Sequence, residues 1–217
     1  MRRVLIVNPN STESCTAAID RAAEPFRRPD LEIVAETVTD GPPSVASMAD
    51  YAIAQGSLVR WLERRNADAD AIVVACFSDP ALPAAKEVTG RPCFGIGEAG
   101  MLAAMQRGLR FGVIALVEAS IERQRRRVAE LGLGARYVGS RTVGLSVPEL
   151  ADAAKTVAAM AEAGRRLVRE DGADVLVMGC AGMADYRAAI QAAAGAPVVE
   201  PTQAALAGAV GAALQGW

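Results

Sequence analysis

The stretch at residues 72–82, "IVVACFSDPAL", decides the fold: an apolar, β-branched run ends at Cys76, and small or polar residues follow it. A second stretch at residues 175–185, "VLVMGCAGMAD", has the same form around Cys180. Short apolar runs bounded by turn residues are typical of strands buried in a parallel sheet. Each thiol is therefore expected at the carboxyl end of such a strand.

Short apolar runs alternate with Ala-rich stretches along the whole chain, which indicates parallel sheets covered by helices on both faces. Apolar residues at spacings of three and four predict long helices at residues 44–66 and 149–171, and Ser11 or Thr12 is the expected cap of the first helix. The predicted strands are residues 3–8, 32–38, 71–76, 93–97, 110–116, 136–143, 174–180 and 197–201.

The two cysteine stretches belong to a longer internal repeat. The cysteines are 104 positions apart (180 − 76 = 104), and "TGRPCFGIGEAG" resembles "AGAPVVEPTQAA" at nearly the same offset. We predict an α/β fold of two similar Rossmann-like halves, each a four-stranded, mainly parallel sheet flanked by helices. The halves are residues 1–105 and 106–217, and the C-terminal helix is expected to pack back on the first half.

Composition excludes several classes of function. The net charge is −2 with both signs scattered, which gives no case for binding nucleic acid or a membrane surface. No apolar run approaches the length of a spanning helix, and residues 1–12 read as a first strand rather than a signal peptide. We expect a cytoplasmic protein whose partner is a small molecule.

The chain contains 0 histidines, which removes Ser-His-Asp and Cys-His mechanisms and histidine-ligated metals. There is no CxxC pair, so a zinc site is not expected. Acid–base chemistry then falls to Cys, Asp, Glu, Lys or Tyr. The sequence predicts neither a metal nor an organic cofactor.

Ligands of open α/β sheets bind beyond the carboxyl ends of the strands, so two facing halves would direct both thiols into one cleft. One thiolate can remove a proton from a carbon acid while a thiol on the other face returns one, which inverts the configuration. Helix N-termini after Cys76 and Cys180 are expected to lower the thiol pKa values. Backbone N–H groups of "CFSD" and "CAGM" would hold the enolate oxygen, and Gly182 would let the backbone approach the ligand.

Other features have plainer interpretations. Cys15 and Cys93 lack a repeat partner and are predicted to be packing residues. The run "RQRRRV" at residues 123–128 is predicted to be a solvated helix face or an oligomer contact, and "GIGEAG" at residues 95–100 is in the wrong place for a dinucleotide fingerprint. Four acidic residues are assigned to helix capping or to holding turns, because a carboxylate beside a thiol would raise its pKa. They are Asp79, Asp185, Glu98 and Glu200.

Six segments together resemble the hydantoin racemase branch of the Asp/Glu racemase superfamily, which includes allantoin racemases. They are "VLIVNPNST" (4–12), "GPPSVAS" (41–47), "ACFSDPAL" (75–82), "GRPCFGIGEA" (90–99), "GCAGM" (179–183) and "PVVEPTQAA" (197–205). The resemblance spans nearly the whole chain. It implies a cofactor-independent racemase of a cyclic ureide, either a 5-substituted hydantoin or allantoin, and a homo-oligomer.

By this resemblance, Cys76 and Cys180 are the two acid/base residues. The residues implied as substrate contacts are Asn10, Ser11, Ser44, Phe77, Ser78, Gly182 and Met183. Two departures bear on the substrate. Relatives commonly carry Thr-Thr where this chain has Ala115 and Leu116, so the pocket is expected to be drier on that side. They carry Gly where this chain has Ser78, whose hydroxymethyl group is expected either to narrow the pocket or to donate a hydrogen bond.

Rival functions remain open at this point. Within the superfamily they are an amino-acid racemase, a maleate isomerase and an arylmalonate decarboxylase-like enzyme. The turns "CFS" and "CAG" disfavour free aspartate or glutamate as the substrate, and two thiols disfavour the decarboxylase. Outside the enzymes, a small-molecule binding protein would also have two α/β halves with a cleft.

Overall fold

Two four-stranded sheets form the frame of the computed structural model, which describes residues 1–65, 68–145, 149 and 152–217. All pairings between the named strands are parallel, and the strand orders are β2-β1-β3-β4 and β6-β5-β7-β8. The strands are β1 Arg2–Asn8, β2 Leu31–Thr37, β3 Ala71–Val74, β4 Cys93–Gly95, β5 Phe111–Ala115, β6 Tyr137–Thr142, β7 Val175–Met178 and β8 Val198–Val199. The predicted fold class is confirmed.

Helices connect successive strands and cover the sheets. They are α1 Glu13–Ala22, α2 Met48–Arg65, α3 Leu82–Thr89, α4 Ile96–Met105, α5 Ile121–Glu130, α6 Ala153–Arg169, α7 Arg187–Ala194 and α8 Pro201–Gln215. None of the described helices is long and apolar enough to cross a bilayer.

Both long predicted helices are present but begin later than predicted. In α2 the N–H of Asp50 donates to the Ser47 hydroxyl (3.1 Å) while the Asp50 carboxylate accepts from the N–H of Ser47 (2.8 Å), so this reciprocal cap sets the helix start. In α6 the Asp152 carboxylate accepts from the N–H of Lys155 at 3.0 Å. Residues 66, 150 and 151 of the two predicted helices lie outside the described part of the chain.

The last helix of each half packs on the sheet of the other half. Helix α8 places Leu206 and several alanines against Val4 and Val73 of the first sheet. Reciprocally, α4 places Met101 against Val177 of the second sheet. Burying a side chain such as Leu206 contributes about 1.5–3 kcal/mol, so this exchange couples the two halves energetically. A division at residue 105 separates the sheets but not the helices.

The shared strand order places equivalent strand ends together. In each sheet the first and third strands of that half are neighbours at the centre. The third strand of each half leads into the turn that carries the cysteine, and the first strand of the first half leads into the Asn8–Thr12 segment. The edge between the two halves is therefore where a ligand site is expected.

Candidate active site

A cavity of about 470 Å³ lies between the halves, at the carboxyl ends of the central strands, and both Cys76 and Cys180 line it. This volume lies within the range of small-molecule sites. The cavity lining also includes most of the residues predicted to contact substrate. These are Asn10, Ser44, Phe77, Ser78, Gly182 and Met183.

Ser11 is the exception among the predicted contacts, because it is not among the residues that line the cavity. Its backbone N–H donates to the carbonyl of Pro42 at 3.0 Å, so it joins two loops instead. Thr12 occupies the N-cap position of α1, yet its hydroxyl donates to the carbonyl of Pro43 at 2.7 Å and makes no side-chain cap. Thr12 is therefore at the predicted cap position, but its side chain makes no capping hydrogen bond to the helix.

The turn after β1 is built by two asparagines. Asn8 is fully buried, and its amide donates to Asn10 Oδ1 (3.1 Å) and to the Thr16 hydroxyl (3.0 Å). Asn10 Oδ1 also accepts from the N–H of Thr12 at 2.9 Å, which fixes the orientation of the Asn10 amide. In the described part of the chain the Asn10 Nδ2 donates to no acceptor. That N–H group is available to a ligand in the cavity.

The buried carboxylate of Asp79 anchors the turn after β3, which carries Cys76. The N–H of Asp79 donates to the carbonyl of Cys76 at 2.9 Å. The Asp79 side chain, 4% exposed, accepts from the N–H groups of Gly97 (2.8 Å) and Glu98 (2.7 Å). Asp79 therefore caps α4, whereas the sequence suggested only that it capped a helix. Arg127 lies 3.5 Å from this carboxylate and also pairs with Glu98.

The turn after β7 requires glycine. Gly182 has φ of +74°, and a Cβ there would lie 2.9 Å from the Cβ of Ala18 on α1. Both the backbone conformation and the close approach of α1 favour glycine at this position.

Glu200 caps α8 by accepting from the N–H of Gln203 at 2.6 Å. Asp185 caps no helix: it is exposed and pairs with Arg21 at 3.5 Å, so its predicted role was wrong.

Both thiols have high pKa values, contrary to the expectation of helix-lowered ones. Burial raises the pKa of Cys76 to about 11 and that of Cys180 to about 12. The following helices, α3 and α7, begin only at Leu82 and Arg187, several residues beyond the thiols. The field of a helix end falls off within its first turn, so burial outweighs it here.

Neighbouring groups make the two thiols unequal. Burial has the largest effect on the pKa of Cys76. Smaller effects follow in this order: the Ser78 backbone lowers that pKa, the charge of Asp79 raises it, and the charge of Arg123 and then the Ser78 side chain lower it. After burial, the pKa of Cys180 is raised further by the charge on Cys76, and then by those on Cys15 and Glu200. A charge on Cys76 therefore disfavours ionisation of Cys180.

The geometry can be compared with known proteins. A model of the Asp/Glu/Hydantoin racemase family matches residues 4–209. The chain belongs to the Asp/Glu/Hydantoin racemase family. It is 32% identical to a hydantoin racemase of Paenarthrobacter aurescens over 213 residues, which cover 94% of this chain and 87% of that protein. The predicted family, and with it the prediction of an isomerase, is confirmed.

Two further relatives agree with this assignment. A hydantoin racemase of Pseudomonas sp. (strain NS671) is 30% identical over 200 residues, which cover 91% of this chain and 80% of that protein. The crystal structure of allantoin racemase from Pseudomonas fluorescens superimposes with a TM-score of 0.94 at 28% identity, covering 99% of this chain and 92% of that one. The similarity therefore extends over both halves and the cavity between them.

Several residues that line the cavity were not predicted from the sequence, and Arg123, Gln124 and Cys15 are among them. Arg123, in the basic run at residues 123–128, is only 8% exposed and lines the cavity with its neighbour Gln124. The predicted solvated face is thus wrong for these two residues. Cys15, predicted to be a packing residue, also lines the cavity, whereas Cys93 is buried in the core as predicted. In the sequence, only the helical spacing between these two residues and Val128, which is buried, indicates that Arg123 and Gln124 face inward.

The second glycine of "GIG", Gly97, has a structural explanation, which supports the rejection of a dinucleotide site. Gly97 is predicted to be intolerant of a side chain, because a Cβ there would overlap the carbonyl oxygen of Phe77 and lie 3.0 Å from the Asp79 carboxylate. Gly97→Ala should lower the free energy of unfolding by about 1–3 kcal/mol, measured by urea denaturation. Gly211→Ala is the matched helical control, since a Cβ there meets nothing within 4 Å. Equal stability of both variants would contradict this packing.

Proposed function

We propose that this chain is a cofactor-independent racemase of a cyclic ureide, either a 5-substituted hydantoin or allantoin, and that it uses Cys76 and Cys180 as paired acid and base. One observation carries the proposal: two thiols, each on an equivalent turn of a different half, line the same cavity. Family membership supports racemisation as the reaction class. The hydantoin racemases and the allantoin racemase among the relatives support a ureide ring as the substrate.

In the proposed reaction, the thiolate of one cysteine takes the proton from ring C5, and the C5 electron pair moves onto the adjacent carbonyl to form an enolate. The thiol of the other cysteine then gives its proton to C5 from the opposite face, and the enolate collapses back to the carbonyl. The product is the inverted ring, and the two sulfurs have exchanged ionisation states. The opposite enantiomer uses the same groups in reverse.

Donors for the enolate and the ring carbonyls come from three turns. The Asn10 amide N–H is one, since its oxygen is already engaged by the Thr12 N–H. The backbone N–H groups of Phe77, Gly182 and Met183 donate to no protein acceptor in the described residues. Fixed donors that face a developing negative charge are worth about 2.7–4 kcal/mol each in related oxyanion sites.

The walls of the cavity favour an apolar substituent on the ring. Leu116 and Val117 follow β5 on one side of the cavity, and Val45 and Ile19 also line it. Leu116 is the second of the two positions, with Ala115, at which relatives commonly carry threonine. An apolar wall leaves the polar groups of a ureido side chain without partners, which costs about 1–3 kcal/mol for each buried unpaired group. We therefore propose a 5-alkyl or 5-aryl hydantoin as the better substrate, with allantoin as the poorer one.

Optical rotation of single enantiomers would test this proposal directly. The panel comprises a 5-alkyl hydantoin, a 5-aryl hydantoin, allantoin, aspartate and glutamate, each with an enzyme-free control because hydantoin C5 exchanges spontaneously. We expect enzyme-dependent loss of rotation with the two hydantoins, a lower rate with allantoin and none with the free amino acids. Racemisation of aspartate or glutamate alone would overturn the ureide assignment.

A further inference from the structure

Arg123 joins two separate parts of the cavity lining. It lies on α5 of the second half, is only 8% exposed and lines the cavity. Its Nε donates to the Ser78 hydroxyl oxygen at 3.3 Å, on the turn that carries Cys76. Its Nη2 donates to the carbonyls of Val45 at 3.1 Å and Ala46 at 3.2 Å, in the segment before α2. One planar group of the second half therefore holds two parts of the first half.

All the donors of this guanidinium are occupied. Its Nη1 donates to the carbonyls of Ala46 and Ala119, each at 3.2 Å. With the bonds from Nε and Nη2 this makes five hydrogen bonds, and a guanidinium has five N–H groups. Every acceptor is an oxygen of the protein, so no N–H group remains for a ligand. Arg123 is therefore suited to holding protein groups in place rather than to binding substrate.

The segment that the guanidinium holds has few other restraints. Residues 43–46, called the 43–46 wall, line the cavity and belong to no helix or strand. At the start of this wall the carbonyl of Pro43 accepts from the Thr12 hydroxyl at 2.7 Å, and at its end the N–H of Ala46 donates to the Asp50 carboxylate at 3.2 Å. Among the described residues, the only hydrogen bonds from the second half to this wall come from the guanidinium.

We infer that Arg123 sets the distance between the Ser78 turn and the 43–46 wall, and thereby limits the size of the ring substituent that the cavity admits. Arg123 is a positioning residue, because it touches the walls of the cavity and not the substrate. The inference deepens the proposed function and rests on it for the identity of the substituent. Val45, on this wall, is one of the apolar residues assigned above to the substituent.

The shape of the guanidinium makes this role specific to arginine. Its N–H groups lie in one plane and point in fixed directions, so it can reach the Ser78 oxygen and the wall carbonyls at the same time. A lysine ammonium carries three donors on one atom at the end of a flexible stem, so it keeps the charge but not the spacing. A methionine side chain keeps much of the bulk and has no donor.

The width of the cavity can be measured without substrate, by alkylating Cys76 with ring reagents of different bulk. N-methylmaleimide and N-benzylmaleimide react with the same thiolate, so the ratio of their rate constants cancels the ionisation of the thiol and reports access to it. Wild type, Arg123→Met, Arg123→Lys and Arg126→Met are compared by peptide mass spectrometry. Arg126→Met is the matched control, because Arg126 lies on the same helix, exposed and paired with Glu122.

In Arg123→Met the benzyl-to-methyl ratio at Cys76 should rise about threefold to tenfold. A pocket discriminates by about tenfold or more for a single methylene, and a loosened wall gives up part of that discrimination. The ratio should rise less in Arg123→Lys and should match wild type in Arg126→Met. The ratio of kcat/KM for 5-benzylhydantoin over 5-methylhydantoin should rise by a similar factor in Arg123→Met.

Three results would overturn the inference. The first is an unchanged maleimide ratio in Arg123→Met, and the second is an equal rise in both maleimide rates, which would mean that the variant only loosens the fold. The third is a higher maleimide ratio without a higher hydantoin ratio. If Arg123→Met does not fold, the same outcomes are read in Arg123→Lys. Absence of hydantoin turnover in every protein, wild type included, would instead refute the proposed function and leave the maleimide result standing.

Discussion

Replacing Cys76 with serine is expected to lower the racemisation rate about 10²–10⁴-fold, the contribution typical of a general acid or base. A serine hydroxyl does not ionise near neutral pH, so one face of the substrate loses its proton acceptor. Cys180→Ser should have the same effect, because each enantiomer needs both groups. The loss is measured as the rate of change of optical rotation with a 5-substituted hydantoin, in both directions.

Cys15→Ser is the matched control for these two variants. Cys15 lines the same cavity, on α1, but has no place in the proposed proton transfer. We expect its activity to remain close to that of wild type. If Cys76→Ser or Cys180→Ser also stayed near wild type, the paired-cysteine mechanism would be wrong, whatever the substrate.

Racemase activity should rise steeply with pH. The reactive form of the free enzyme has one thiolate and one thiol, and burial raises the pKa values of Cys76 and Cys180 to about 11 and about 12. Below the lower pKa, each pH unit increases the singly ionised fraction about tenfold. We therefore expect kcat/KM to increase by about two orders of magnitude between about pH 7 and about pH 9.

This profile is measured by initial rates with the spontaneous rate subtracted at each pH. The sign follows from the raised pKa values: near neutral pH most molecules carry two thiols, and raising the pH supplies the missing thiolate. A flat profile across this range would mean that a thiolate already exists at neutral pH. A falling profile would mean that a protonated group other than these thiols limits the reaction.

Much of the fold could be predicted from local sequence. All eight predicted strands are found among the described residues. The central ones, such as β3 and β7, are continuous apolar runs because a parallel strand covered on both faces needs apolar residues throughout. The repeat around Cys76 and Cys180 placed both thiols at equivalent strand ends. The packing of α4 on the sheet of the second half was not predicted. The apolar face of α4 fits either sheet, so only the tertiary structure determines which sheet it covers.

The site was predicted less completely than the fold. Contacts carried by motifs, such as Asn10 and Ser78, do line the cavity. Arg123 was missed because a run of arginines normally faces solvent, and its burial depends on carbonyls about 77 positions away in the first half. The thiol pKa values were predicted in the wrong direction, because burial cannot be read from the distance to a helix start along the chain.

The most direct test of the central claim is the position of solvent deuterium early in the reaction. A single enantiomer of a 5-substituted hydantoin is incubated with enzyme in D₂O, the two enantiomers are separated at low conversion, and deuterium at C5 is measured in each. The two-base account predicts deuterium in the inverted product and almost none in the recovered substrate, after subtraction of an enzyme-free control. Equal labelling of substrate and product would contradict it, because a single base would then be exchanging its proton with solvent and returning it to either face.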